Sequence, residues 1–183
     1  MYEISMPEAE AKKLKELINY SDNILEDGAG GSTAYAVSQG KKITTIETDK
    51  DYLNNLLDYL NHSDLVDPIY VNVGVTKGWG YAEAIPDDFN TVRQYAKPAW
   101  KKDSYDLVII DGRFRAVAFM ISWNNAELGT KFFWDDFTGR EHYHKILKYV
   151  FPDRKVGRAV IFTKTDDIKF DDKFIHKFVS DQR

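Results

Sequence analysis

The chain has 183 residues, 43% of them hydrophobic and 14% aromatic, enough for one domain with a real core and too few for a second large one. Charged residues make up 30% and the formal net charge is -4, so the chain lacks the broad positive field of a nucleic-acid binder, although a local basic patch stays open. It has no cysteine, which excludes disulfides, thiolate metal sites, cysteine nucleophiles and cysteine-ligated iron–sulfur clusters.

The segment from Met1 to Glu10 holds no apolar signal core, and no stretch approaches the roughly 18 apolar residues of a membrane span. A cytoplasmic protein with no membrane partner is expected. Ser5-Met6-Pro7-Glu8 reads as a capping box with an early helical proline, opening a helix to about Tyr20 that buries Leu14, Leu17 and Ile18. Ile24 to Glu26 is a short strand running into Gly28, Gly30 and Gly31, and Ser32 is placed to cap a helix through Val37. The β-branched run Ile43 to Ile46 is a second strand. Asp49 then caps a helix carrying Tyr52, Leu53, Leu56, Leu57 and Leu60 at helical spacing.

Ile69 to Val75 reads as the third strand and Tyr105 to Ile110 as the fourth, whose apolar run suits a strand covered on both faces. A helix over about Arg115 to Asn125 follows, then a strand over Lys131 to Trp134, a helix over Glu141 to Val150, and a strand over Ala159 to Phe162, paired with a short one near Lys155. This alternation predicts an α/β fold with a mostly parallel central sheet of about six or seven strands and helices on both faces. Two regions depart from it. Residues 76–104 form a long connection with Gly78, Trp79, Gly80, Pro86, Pro98 and Trp100, read as an insertion on the substrate side or an ordinary surface excursion. The tail 166–183 is charged, but Phe170, Phe174 and Phe178 stand four apart, which predicts a terminal helix packed on the domain.

In open α/β sheets, ligands bind beyond the carboxyl ends of the strands. Glu26-Asp27-Gly28-Ala29-Gly30-Gly31-Ser32-Thr33 sits at one such end. Glycines let the backbone turn tightly and approach a ligand, and the following helix offers unpaired N–H groups to an anion. A dinucleotide fingerprint wants a third glycine where this chain has Thr33. Glu47 closes the second strand about 20 residues beyond Gly28, where a carboxylate can accept from both ribose hydroxyls. The alternative is a helix-capping acid, a role that Asp49 already fills well, so the ribose reading is favoured.

Three segments carry a family resemblance: Leu25 to Thr33, Thr45-Ile46-Glu47-Thr48-Asp49, and Tyr105 to Arg115 with its Asp111-Gly112-Arg113-Phe114-Arg115 ending. Together they resemble class I S-adenosylmethionine (SAM)-dependent methyltransferases, over about Met6 to Thr163. The last is more specifically similar to small bacterial methyltransferase-like proteins with no assigned substrate. The resemblance implies a Rossmann-like methyltransferase fold over 1–183 and SAM as cofactor. Gly28 and Gly30 would face its methionine part, with the carboxylate at the helix N-terminus, and Glu47 its ribose. Glu26, Ala29, Ser32, Thr33 and Thr48 complete the cofactor-binding set. Residues near Gly74 and Val75 would border the adenine, although Asn72-Val73-Gly74 stands where many members have an acid.

Methyl transfer is an in-line displacement that needs alignment, exclusion of water and, for a hydroxyl acceptor, removal of a proton. Asp111, Asp136 and Arg113 are the candidate catalytic residues. Asp111 ends an apolar strand, where a carboxylate is poorly placed unless used. Asp135 and Asp136 end the next, in a layout resembling metal-dependent O-methyltransferases. A divalent metal is therefore an alternative, not the favoured one, and no metal ligand is assigned; Asp111 paired with Arg113 or Arg115, and Asp136 as a helix cap, are the structural readings. Arg113 and Arg115 offer planar forks for an anionic acceptor or an ion pair with a nearby acid. His142 and His144 are a candidate base or solvated surface groups. Trp79, Tyr81 and Trp100 line an acceptor pocket or form a small core of the long loop.

The Asp/Asn-Pro-Pro-Tyr motif of adenine amino methyltransferases is absent, and cytosine C5 chemistry lacks its cysteine. The expected activity is O-methylation of a small molecule or a glycan- or lipid-linked hydroxyl, with no nucleic-acid partner favoured and a homo-oligomer left open. The alternatives are a catalytically silent protein that binds SAM, S-adenosylhomocysteine (SAH) or another nucleoside, and a NAD-linked oxidoreductase disfavoured by Thr33.

Overall fold

The computed structural model describes residues 2–84, 89–93, 95–101 and 103–183; Pro86 lies outside the described residues. In chain order the elements are α1 (Glu8–Tyr20), β1 (Asn23–Asp27), α2 (Gly31–Ser38), β2 (Lys42–Glu47), α3 (Lys50–Tyr59), β3 (Val66–Tyr70), β4 (Thr76–Lys77), β5 (Tyr81–Ala82), α4 (Phe89–Arg93), α5 (Lys97–Trp100), β6 (Leu107–Ile110), α6 (Arg115–Asn125), β7 (Lys131–Trp134), β8 (Arg154–Val156), β9 (Ala159–Thr163) and α7 (Asp172–Ile175). Seven strands form one sheet in the order β3-β2-β1-β6-β7-β9-β8, and β4 and β5 form a separate small hairpin. Pairing is parallel from β3 to β7, while β9 runs antiparallel to both β7 and β8.

Strand alternation divides the core. Ile24, Ile43, Leu107, Ile109, Phe133 and Ile161 meet Leu14, Leu17 and Ile18 of α1 and Ala36 of α2 on one face. Leu25, Ile46, Val108, Ile110, Phe132, Trp134 and Phe162 meet α6 and the C-terminal segment on the other. A strand sandwiched this way has no polar face, which is why β6 reads as an unbroken apolar run. Helix α6 is buried from Arg115 through Trp123, since the sheet covers one side and α4, α5 and the tail the other. Phe170, Phe174 and Phe178 are all buried there. The tail forms one helical turn, α7, extended by a 3-10 turn over His176–Phe178.

Four local expectations are corrected. Helix α1 starts at Glu8 with Pro7 before it and no side-chain cap, so Ser5 forms no capping box. Ser32 lies inside α2, whose first residue is Gly31. The third strand is Val66–Tyr70, a few residues earlier than its apolar stretch suggests, because Ile46 pairs with Ile69 and Glu47 with Tyr70. Residues Glu141–Lys148 wind as a 3-10 helix. No helix among the described residues is long and apolar enough to cross a membrane.

Candidate functional site

The chain builds outward from β1 to β2 and β3, then returns to place β6 on the other side of β1. Loops leaving β1 and β6 therefore diverge, and a crevice opens at their carboxyl ends. A cavity of about 750 Å³ lies there, walled by the loops after β1, β2, β6 and β7. That volume is within the range of small-ligand sites.

The glycine loop is braced from below. Gly28 has φ +102, a backbone region that side chains avoid, and a Cβ on it would stand 2.5 Å from Gly112 Cα. The β1 and β6 loops therefore touch backbone to backbone. The Gly28 amide donates to Ile46 O at 2.9 Å, and the Gly30 amide to Thr33 Oγ1 at 2.9 Å. Thr33 Oγ1 and Thr45 Oγ1 both donate to Glu26 Oε2. Glu26 is fully buried, and desolvation lifts its carboxyl to about 7 against the pull of the hydroxyls of Ser32, Thr33 and Thr45. Burial also holds Asp27 well above the usual carboxylate range. Gly28, Ala29, Gly30 and Ser32 line the cavity, whereas Glu26 and Thr33 support them from behind.

Glu47 lines the cavity at the end of β2. Its Oε1 accepts from the amides of Thr48 at 2.6 Å and Asp49 at 2.9 Å, contacts that leave Oε2 unused, and burial raises its pKa. Asp49 caps α3 by accepting from the Tyr52 amide at 3.0 Å. Thr48 turns its hydroxyl to Gly80 O at 2.8 Å, fastening the β4–β5 hairpin over the ribose-side wall expected from Glu47. That wall is completed by Trp79, Gly80 and Tyr81, not by Gly74 and Val75. Residues Tyr2 to Met6 complete the rim, with Glu3 backbone against Gly31 and the Tyr2 ring on Tyr52 and Tyr59.

The far wall alternates acids and arginines. Arg115 donates to Asp111 Oδ1 at 3.1 Å and Asp136 Oδ2 at 3.3 Å, and to the carbonyls of Gly112 and Asp135 at 3.0 Å each. Arg140 holds Asp136 Oδ2 at 2.6 Å; Arg158 holds Asp135 Oδ2 at 2.7 Å and Asp136 Oδ1 at 3.0 Å. Both oxygens of Asp136 are thus occupied, so it is an ion-pair hub and not a helix cap. Desolvation, opposed by Arg115 and reinforced by Asp135 and Asp136, lifts Asp111 to about 7. Guanidiniums occupy the positions that a cation would need between these acids. No group of three or more His, Asp or Glu among the described residues is arranged to hold a metal ion.

Arg113 lines the cavity between these walls with its guanidinium carbon 4.2 Å from the Tyr81 ring centre. Three other expected residues stand away from the cavity. Trp100 packs on Tyr105 and donates to Ser122 Oγ at 3.1 Å. His142 pairs with Asp181 at 2.8 Å, and His144 sits at 3.2 Å from Phe137 O. Tyr2 to Met6, Arg140 and Arg158 were not legible as site residues, because only the fold brings them to the strand ends.

No family model matches the chain, and no curated protein does. Among solved structures it is similar to a methyltransferase-like protein of Silicibacter pomeroyi, with a TM-score of 0.85 and 23% identity over 97% of this chain and 95% of that one. It is also similar to the N-methyltransferase NodS of Bradyrhizobium japonicum, with a TM-score of 0.51 and 13% identity over 85% of this chain and 92% of that one. A third is Aeropyrum pernix fibrillarin with natively bound SAM, with a TM-score of 0.56 and 14% identity over 80% of this chain and 68% of that one. The chain has the class I SAM-dependent methyltransferase fold. Within this methyltransferase fold, the cavity opens at the switch between β1 and β6, and the antiparallel β9 lies between β7 and the edge strand β8.

Proposed function

We propose that this chain is a SAM-dependent methyltransferase acting on oxygen, in a small molecule or a glycan- or lipid-linked hydroxyl. The observation that carries the reading is the cavity in which the Gly28–Gly30 loop and Glu47 share one enclosure with Asp111. The residues fit the cofactor. A Cβ on Gly30 would stand 3.3 Å from the Tyr52 hydroxyl and narrow the cradle, and the first amides of α2 suit a carboxylate. Gly28, Ala29, Gly30 and Ser32 would hold the amino-acid part, with Glu26 and Thr33 fixing the loop. Glu47 would take the ribose hydroxyls, positioned by Thr48. SAM supplies an electrophilic methyl group when bound.

Asp111 is the group suited to accept a hydroxyl proton. Its carboxyl ionises at about 7, near the operating range of a general base, and Arg115 orients one oxygen. Asp136 acts at one remove, setting Arg115, Arg140 and Arg158. The test is transfer of labelled methyl from SAM to panels of hydroxyl compounds. Transfer that Asp111→Asn reduces by about 100-fold supports the reading. A second reading, a silent SAM- or SAH-binding protein, is favoured by the saturation of the acids with arginine. Alanine at both Asp111 and Asp136 that leaves every activity unchanged would favour it.

A further inference from the structure

We infer that the methyl acceptor carries an oxyanion, a carboxylate or a phosphate, that binds the Arg113 guanidinium beside the Tyr81 ring. The inference rests on the methyltransferase reading for the word acceptor, but the anion subsite itself rests on Arg113. Four arginines line the cavity, and three are committed to Asp111, Asp135 and Asp136. Arg113 is 9% exposed, and no hydrogen bond or ion pair holds its guanidinium among the described residues. Its Nη1 is sealed from solvent without a partner. A buried cation left unpaired costs far more than one at the surface, so such a group signals a missing anion. The neighbouring Asp27 makes no ion pair with it among the described residues, and both of its carboxyl oxygens lack a hydrogen-bond partner there.

The setting is built, not incidental. Phe114 adopts φ 52, a left-handed conformation unusual for a bulky residue, and its amide donates to Gln182 O at 3.4 Å. The Gln182 side chain bonds Ala82 on both its N–H (2.7 Å) and its carbonyl (3.3 Å). The C-terminal segment therefore ties the Arg113 loop to the hairpin carrying Tyr81, whose ring centre lies 4.2 Å from the guanidinium carbon. A planar fork matches the two oxygens of a carboxylate or phosphate. Trp79, 83% exposed at the same rim with φ 67, offers an apolar face beside it.

The test is calorimetric titration of inorganic phosphate and of acetate into the protein, with and without saturating SAH, comparing wild type with Arg113→Gln and Arg113→Lys. The expected result is binding of at least one anion that Arg113→Gln weakens by about tenfold or more, that Arg113→Lys partly retains, and SAH affinity unchanged within about threefold. Which probe binds more tightly separates a phosphate from a carboxylate acceptor. Equal anion affinity in all three folded proteins, or no anion binding to any, overturns the inference. So does a tenfold loss of SAH affinity in Arg113→Gln, which would hand the guanidinium to the cofactor. If SAH binds to none of them but the anion still depends on Arg113, the methyltransferase reading fails and the anion subsite stands.

Discussion

Asp111 and Glu26 are both buried acids with carboxyls lifted to about 7, and their settings give them different consequences. Asp111 lines the cavity, so its ionisation belongs to activity. The rate of methyl transfer should rise with pH through about 7 as Asp111 loses its proton, and a pH–rate profile of Asp111→Asn should lose that limb. Glu26 lies under the glycine loop, so its ionisation belongs to stability. Its folded pKa exceeds its unfolded one; the stability it contributes is therefore fully present below the unfolded value, about 4.5, and is lost as pH rises through about 7. Melting temperature should fall between pH 5 and pH 8, about the span of that shift, and Glu26→Gln should flatten this slope in thermal melts. The position of the glycines and of Glu47 beside the cavity was legible because each directly follows or ends a strand whose apolar pattern is local. The pairing of Asp136 was half legible: its acid was visible, but Arg140 and Arg158 reach it from elements whose approach no spacing encodes.

Helix α6 shows how an element is fixed by what covers it. Phe119 lies at its centre, with its ring 4.7 Å from Trp134, 5.0 Å from Phe162 and 5.2 Å from Phe132. Phe119→Ala should cost about 3–5 kcal/mol in chemical denaturation, since three rings from two strands, β7 and β9, cannot all collapse into the space. Covered on both sides, β6 and α6 carried apolar runs that gave them away in the sequence. Strand β3 did not. Pro68, exposed along with Tyr70, interrupts its pattern, and only pairing with β2 decides the register. The terminal segment was legible from the four-residue spacing of its phenylalanines, but its bonds from Gln182 to the hairpin span 100 residues and leave no local signal.

At the scale of the whole molecule, strand–helix alternation leads to a parallel sheet, and the reversal of strand order beside β1 leads to a crevice. That much follows from pattern and topology. The crevice acquires chemistry because it collects two kinds of wall: a glycine loop with Glu47 on one side, and a lattice of acids and arginines on the other. The central claim is that the first wall binds SAM. Calorimetric titration of SAM and SAH into the wild-type protein and Glu47→Ala tests it most directly. The account predicts a dissociation constant on the order of micromolar, about -8 kcal/mol, weakened by about tenfold or more when the Glu47 carboxylate is removed. Absence of binding for both ligands, from protein with an intact cooperative melt, would contradict it and leave the methyltransferase likeness a matter of fold alone.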